Sequence, residues 1–459
     1  MTKKIVIIGG GTAGASAALT ARKINRTAEI TVLEQEPFPT YSRCGLPFVI
    51  KGIIPELENL IVFSDKFFRQ QKIVHIKNSP VVKINPGTKE VITEIRIPHS
   101  EFRNYNYDSL VIATGASSVK SPVTGVDLPH VFTLRTINDA QRIINHQSSV
   151  IGHQTNAVVI GASFIGIELA EALKSKGYAV TLVEVVRLMW RTIDPDIGQL
   201  IKQYLNSQGI NIIEQKSVTE IKAKEVSVKD DRIPAELVVV ATGVKPEIRL
   251  AQEAGLEIGI TGGIKVNNHL QACLLSGPAI NNIYAAGDCA EVTSAITNEP
   301  IVIGLGTIAA RQGVVAGTNA AGGDQKAPPV LNSAVLKVFG MEIGSVGFTE
   351  EYLRKNHPEK FHPVSMTIKY PSLPHYYPGG VDIHVKLIAD KKTHQLLGAQ
   401  ILGQTSVGPR INTMALAIGQ KMTVEELTRS DFCYSPPVAD IWDPVIIAAQ
   451  ALARKLAKL

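Results

Sequence analysis

Very little in this chain points to a membrane, a metal or an oxidised exterior. No apolar run is long enough to cross a bilayer, and the N-terminus enters a strand-like run within a few residues, with no signal-peptide core. Cysteine is scarce: Cys44, Cys273, Cys289 and Cys433 are the only four in 459 residues. Their spacing matches neither a zinc site nor a disulfide framework, so a reducing cytoplasm and no metal centre are expected. The net charge of +6 is dispersed, and no basic stripe with interleaved aromatics offers a nucleic-acid surface. What remains is the composition of an ordinary globular protein, 45% apolar and 19% charged. It is too long for one core and sized for about three domains.

Two stretches repeat one plan. The first is Lys4-Ile5-Val6-Ile7-Ile8 running into Gly9-Gly10-Gly11-Thr12-Ala13-Gly14. The apolar run predicts a buried parallel strand, and the Ala-rich stretch from Ala15 to Ala21 predicts the helix after it. Gly9 permits the tight turn, Gly11 lets backbone approach a pyrophosphate, and Gly14 allows close helix–strand packing. The helix N-terminus then presents N–H groups to the phosphates. Glu34 closes the next strand, Ile30-Thr31-Val32-Leu33, about 20 residues past Gly14, where a ribose-hydroxyl acceptor belongs.

The second stretch is Ala157-Val158-Val159-Ile160, then Gly161-Ala162-Ser163-Phe164-Ile165-Gly166, then Thr181-Leu182-Val183-Glu184. Ser163 replaces the middle glycine and crowds the phosphate by one hydroxymethyl group, a departure from the fingerprint that a cofactor which comes and goes can tolerate. Glu184 accepts from a free 2′-hydroxyl and repels a 2′-phosphate, favouring NADH over NADPH. Arg187, three residues on, is the group that would soften this preference. Two such units imply two dinucleotides in one chain.

The expected fold is α/β, with two Rossmann-like dinucleotide-binding domains and a C-terminal α+β domain. The first unit ends in Leu110-Val111-Ile112-Ala113-Thr114-Gly115 and the second in a near copy, Val238-Val239-Val240-Ala241-Thr242-Gly243, as homologous repeats do. Ser117 to Thr133, with Pro122, Gly125 and Pro129, reads as a linker. After Pro246 the chain is expected to rejoin the first domain, because Ile283-Tyr284-Ala285-Ala286-Gly287-Asp288 again reads as a strand ending at an acid. The boundaries are therefore 1–118 with 247–326 for the first domain, 119–246 for the second and 330–459 for the third. In the third, strands are expected over 333–339, 381–389 and 397–402, and helices over 413–421 and 445–458.

Cys44 lies just past the first unit, in Tyr41-Ser42-Arg43-Cys44-Gly45-Leu46-Pro47. Gly45-Leu46-Pro47 reads as a helix start, whose dipole favours the nucleophilic thiolate. With both fingerprints, Tyr284 to Ala290, Leu305-Gly306-Thr307, and Tyr434-Ser435-Pro436-Pro437 through Trp442-Asp443-Pro444, this segment resembles the single-cysteine branch of the pyridine nucleotide–disulfide oxidoreductases. That branch holds coenzyme A-disulfide reductase, NAD(P)H sulfur or persulfide reductases, NADH oxidase and NADH peroxidase. The resemblance covers the whole chain. It implies FAD in the first unit, NAD(P)H in the second, and a homodimer.

The same resemblance distributes roles. Where the two-cysteine branch has its second cysteine, this chain has Val49, so Cys44 must pair with an external thiol or cycle through a sulfenic acid. Gly9, Gly11, Thr12, Ala13, Gly14, Glu34, Arg43, Val82, Ala113, Thr114, Gly115 and Arg135 are placed near FAD. Asp288 would hold the ribityl chain, and the helix opened by Leu305, Gly306 and Thr307 would face the flavin. Gly161, Ser163, Phe164, Ile165, Gly166, Glu184 and Gly243 are placed at NAD(P)H. Tyr434 and the pair Tyr376 and Tyr377 match tyrosines that reach the reactive sulfur from the partner subunit. Ser42, Arg22, Lys23 and Lys72 match positions that hold coenzyme A.

Oxidases and peroxidases of the branch carry a histidine in the first fingerprint where this chain has Thr12, which removes their proton donor. The resemblance therefore implies electron flow from NAD(P)H through flavin to Cys44 and on to coenzyme A disulfide, coenzyme A persulfide or polysulfide. The alternatives are an NADH oxidase working through a Cys44 sulfenic acid, a reductase for a small iron–sulfur protein, and a low-turnover redox-sensing flavoprotein. No rhodanese-like extension follows residue 459, so sulfur delivery is expected from elsewhere.

Overall fold

The computed structural model describes residues 2–95, 101–149, 155–229, 231–275 and 277–459. They form two compact units. One contains the chain up to Val119, Arg135–Gln141 and Gly243–Val330. The other contains Lys120–Leu134, Arg142–Thr242 and Leu331–Leu459.

The first unit is built on a six-stranded sheet in the order Gln271–Cys273, Ala279–Ala285, Ser109–Ile112, Lys4–Ile8, Glu29–Leu33, Val74–Ile76, parallel except at its Gln271–Cys273 edge. Because successive side chains alternate faces, Ile5 and Ile7 point one way and Val6 and Ile8 the other, and both sets are buried. Ile5 and Ile7 share a core with the alanines of the helices Thr12–Ile24 and Gly306–Ala320. These helices cross closely: a Cβ on Gly313 would lie 2.3 Å from the Ala13 carbonyl oxygen. Val6 and Ile8 share a core with Val81, Ile84 and Val91 of a three-stranded antiparallel sheet.

In the second unit the plan recurs. A parallel sheet runs Val131–Thr133, Leu237–Val240, Asn156–Ile160, Ala179–Glu184, Asn211–Glu214. A three-stranded antiparallel sheet, Val218–Ile221, Glu225–Val228 and Asp231–Pro234, joins its core through Val218, Ile221, Val226 and Val228. In both sheets the fingerprint strand lies between the strand ending in Ala-Thr-Gly and the strand ending in glutamate. That is the switch point at which such sheets bind ligands.

Residues past Leu331 form a five-stranded antiparallel sheet, Ala334–Val338, Met341–Gly347, Leu396–Gly403, Asp382–Asp390, Pro363–Pro371. Three of its strands, Ala334–Val338, Asp382–Asp390 and Leu396–Gly403, fall within a residue or two of expectation, while Met341–Gly347 and Pro363–Pro371 were not expected. One helix also differs: it spans Val407–Gly419, starting well before residue 413. Gly408 and Pro409 read as breakers, but Pro409 sits in the first turn, where no backbone N–H partner is needed. Two further differences concern the linker and the return. The segment read as linker contributes the strands Ala116–Ser118 and Val131–Thr133. Ala116–Ser118 pairs with Val244–Pro246, so the chain rejoins the first unit at Gly243 rather than after Pro246.

Candidate active site

At the first fingerprint, Gly9 has φ +98° and a Cβ there would lie 2.3 Å from the Ala113 carbonyl oxygen. A Cβ on Gly14 would lie 1.8 Å from the Gly9 carbonyl oxygen, so only hydrogen fits between helix and turn. Gly11 faces open space, and no side chain caps the helix Thr12–Ile24. Unclaimed N–H groups beside an open approach fit a pyrophosphate.

Glu34 stands beside this turn. Its Oε2 accepts from the Gly10 N–H at 2.7 Å and its Oε1 from the Glu36 N–H at 2.8 Å. Burial pushes its carboxyl up, against the pull of those two N–H groups. The second fingerprint copies the device: Glu184 Oε2 accepts from Ala162 N–H at 2.8 Å and Oε1 from Val186 N–H at 3.1 Å. Ser163, in the place of Gly11, is exposed, with Phe164 and Ile165 half-buried behind it and Gly166 buried. The shared geometry shows the two acids to be one solution used twice.

The other end of the first site is set by Asp288, whose Oδ2 pairs with Arg135 Nη2 at 2.8 Å. Arg135 also donates from Nε to the Ala116 carbonyl at 3.1 Å, and its own carbonyl accepts from Arg43 Nη1 at 2.9 Å. Arg43 Nη2 pairs with Glu36 Oε1 at 2.7 Å, while the Tyr41 hydroxyl donates to Glu36 Oε2 at 2.7 Å. A continuous polar chain thus runs from Gly10 through Glu34, Glu36, Arg43 and Arg135 to Asp288. Glu36 carries one sequence signal, an acid two residues past Glu34, and Tyr41 heads the Cys44 segment. Thr114 Oγ1 donates to the Glu247 carbonyl at 2.7 Å. Gly306 and Thr307 are exposed at the uncapped start of their helix, and Val82 is half-buried in the strand Val81–Asn85.

Cys44 is exposed on a 3-10 turn, Arg43–Gly45, that feeds the helix Leu46–Lys51. That helix has six residues, fewer than two turns, so the dipole behind the thiol is smaller than a full helix start would give. Val49 is buried. Of the other cysteines, Cys273 and Cys289 are buried and Cys433 is exposed. Burial raises both buried thiols above the ordinary value.

Three arginines read as phosphate ligands or modulators have other partners. Arg22 donates to the carbonyls of Gln71, Asn25, Arg26 and Lys72, so its fork closes a turn instead of facing a coenzyme A phosphate. Arg43 is held by Glu36 and Arg135 as described. Arg187 donates to the Ile193 carbonyl at 2.6 Å and pairs with Glu351. Lys23 and Lys72 are exposed.

In the second unit the Tyr376 and Tyr434 hydroxyls are hydrogen-bonded at 2.7 Å. Tyr377 is also exposed. The loop carrying Tyr434 is anchored by Asp443, which meets buried Arg410 at 2.8 Å and caps its own helix by accepting from Val445 N–H at 2.9 Å.

A parallel fingerprint sheet used twice, each with an acid held across its turn, defines a two-dinucleotide oxidoreductase. Residues 3–313 match the family described as pyridine nucleotide-disulphide oxidoreductase, and residues 333–445 match its dimerisation domain. The chain belongs to this family, and its cofactors are FAD and NAD(P)H. It is 36% identical to a Methanocaldococcus jannaschii protein named NADH oxidase, over 99% of both chains. It is 34% identical to a Pyrococcus horikoshii protein named NAD(P)H coenzyme A polysulfide/persulfide reductase, over 98% of this chain and 99% of that one. A solved NAD-dependent persulfide reductase from A. fulgidus superposes with a TM-score of 0.93 at 34% identity, covering 99% of this chain and 84% of that chain. Among the described residues, no helix is long and apolar enough to cross a membrane.

Proposed function

We propose that the enzyme moves electrons from NADH to the S–S bond of a coenzyme A disulfide, coenzyme A persulfide or polysulfide, with Cys44 as the reacting thiol. The observation that carries this is Cys44 itself: an exposed thiol past the FAD fingerprint, with buried Val49 where an internal partner would stand. The names of the Pyrococcus and A. fulgidus relatives support the substrate class. FAD, when bound, supplies the two-electron link between nicotinamide and sulfur. In the assigned chemistry the Cys44 thiolate attacks one sulfur of the substrate, the S–S bond breaks, and one thiol leaves while Cys44 keeps the other as a mixed disulfide. Two electrons and a proton from NADH, with one further proton, return that mixed disulfide to two thiols.

We assign residues 1–118 with 243–326 to FAD, 119–242 to NADH and 330–459 to a homodimer contact, as the name of the matched domain supports. Glu34 and Asp288 are the acids for the adenosine ribose and the ribityl chain, and Glu184 is the acid for the NADH ribose. Tyr376 and Tyr434 are assigned to proton delivery at the leaving thiolate, reaching Cys44 of the partner. Ser42, Lys23 and Lys72 remain the candidates for coenzyme A; Arg22 is assigned to folding. Scarce cysteines suit a reducing compartment.

The test is mass spectrometry of the unreduced protein around Cys44. A coenzyme A adduct that NADH discharges supports the assignment. A sulfenic acid with no adduct, together with rapid NADH consumption under oxygen, selects the oxidase reading that the M. jannaschii relative's name favours.

A further inference from the structure

An arginine sits three residues past Glu184, and the fold draws it aside. After Val186 the chain turns back, and the Met189 N–H donates to the Ala162 carbonyl at 3.0 Å. The turn therefore lies against the second fingerprint, with Val185, Val186 and Trp190 exposed along its edge. Arg187 leaves this edge. Its Nη1 donates to the Ile193 carbonyl at 2.6 Å and lies 4.0 Å from where a Cβ on Gly198 would be, at the start of the helix Pro195–Ser207. Its Nη2 pairs with Glu351, on the helix Glu350–Asn356. The other cation of the turn, Arg191, stacks over the Trp190 ring at 5.0 Å.

We propose that Glu351 sets the nucleotide preference of this enzyme indirectly, by holding Arg187 away from the position a 2′-phosphate would take beside Glu184. The proposal rests on the assignment of Gly161–Gly166 and Glu184 to the adenosine half of NADH. The physical case has three parts. Glu184 already opposes a 2′-phosphate by like charge, and it is fixed by two backbone N–H groups. A guanidinium three residues away would offset that repulsion, because its fork matches phosphate with charge-assisted hydrogen bonds. Glu351 is 54% exposed, so its pair with Arg187 is a weak, breakable tie whose effect falls on where Arg187 points, with little consequence for folding. Arg187 reaches Glu351 and the Ile193 carbonyl with one fork, and removing the acid frees the arm that holds it.

The experiment measures binding of NAD⁺ and NADP⁺ to the FAD-loaded full-length protein by calorimetry. The proteins are the wild type, Glu351→Ala, Glu351→Lys and Glu351→Ala with Arg187→Ala. Both single variants are expected to bind NADP⁺ roughly fivefold more tightly, the scale of one recovered charge-assisted contact, with NAD⁺ changed less than about twofold. The double variant is expected to lose that gain. Unchanged NADP⁺ affinity in both single variants overturns the proposal, and so does a gain that survives removal of Arg187. If Glu184→Ala leaves NAD⁺ binding untouched, the site assignment itself has failed, which is a different result from a silent Glu351.

Discussion

The hydroxyls of Tyr376 and Tyr434 meet at 2.7 Å although the residues are 58 positions apart. Each sits on an exposed loop, 61% and 45% accessible, where a buried-core explanation for the contact does not apply. The bond to Tyr434 raises the Tyr376 phenol above its ordinary value. Further along the same chain segment, Asp443 pairs with Arg410, at 10% and 9% exposed. The two phenols thus share one hydrogen bond in which either hydroxyl can donate.

That sharing makes a kinetic prediction. Tyr434→Phe should lower kcat with coenzyme A disulfide by about 100-fold, the scale of one positioned proton donor. Tyr376→Phe should cost less, and the double variant should match Tyr434→Phe alone, because coupled residues are not additive. Steady-state kinetics of the three proteins decides it; losses that simply multiply would show the contact to be packing.

Cys44→Ser separates the two halves of the reaction. NADH should still bleach the flavin absorbance at a wild-type rate, while turnover with every disulfide or persulfide falls to background, since serine is a far weaker nucleophile. Stopped-flow absorbance and a coupled thiol assay read the two halves independently. Retained turnover would remove sulfur chemistry from Cys44.

Both fingerprints, their acids and the Ala-Thr-Gly repeat were legible in the sequence because each depends on local backbone: a turn that only glycine allows, and a strand of fixed length before an acid. Three of the five C-terminal strands were legible, whereas Met341–Gly347 and Pro363–Pro371 were not. Partners of long cationic side chains were not. Arg187 meets Glu351 across 164 positions and Arg43 meets the Arg135 carbonyl across 92, and no spacing rule reports such pairs. In sequence, a helix-terminal basic residue such as Arg22 looks the same whether it faces a phosphate or closes a turn on carbonyls. The early start at Val407 was hidden by Gly408 and Pro409, which break a helix interior and are tolerated in a first turn.

Arg43 precedes Cys44 and bridges Glu36 to the Arg135 carbonyl. A lysine keeps the charge but offers no fork, so it can serve one partner and not both. Arg43→Lys should therefore lower kcat about tenfold with KM changed less than about twofold, because the loss is in placement of the thiol. Glu36→Gln should give part of the same effect. A large rise in KM for the coenzyme A substrate, with kcat intact, would instead make Arg43 a phosphate ligand.

Glu168 supplies a test of stability against pH. It lies on the helix Phe164–Ser175 behind the second fingerprint. Burial, with Glu171 adding like charge, pushes its carboxyl up to about 7 from an ordinary 4.5. The folded state therefore holds a proton that the unfolded chain gives up near 4.5. Stability falls as pH rises from about 4.5 to about 7 and stays reduced above that, by up to about 3 kcal/mol. Glu168→Gln removes the titration. Its Tm should exceed that of the wild type at pH 8 by several degrees and differ little at pH 5, measured on the FAD-loaded protein by calorimetry. An equal gain at both pH values would mean the benefit is packing, and no gain at pH 8 would mean the carboxylate is already solvated or paired.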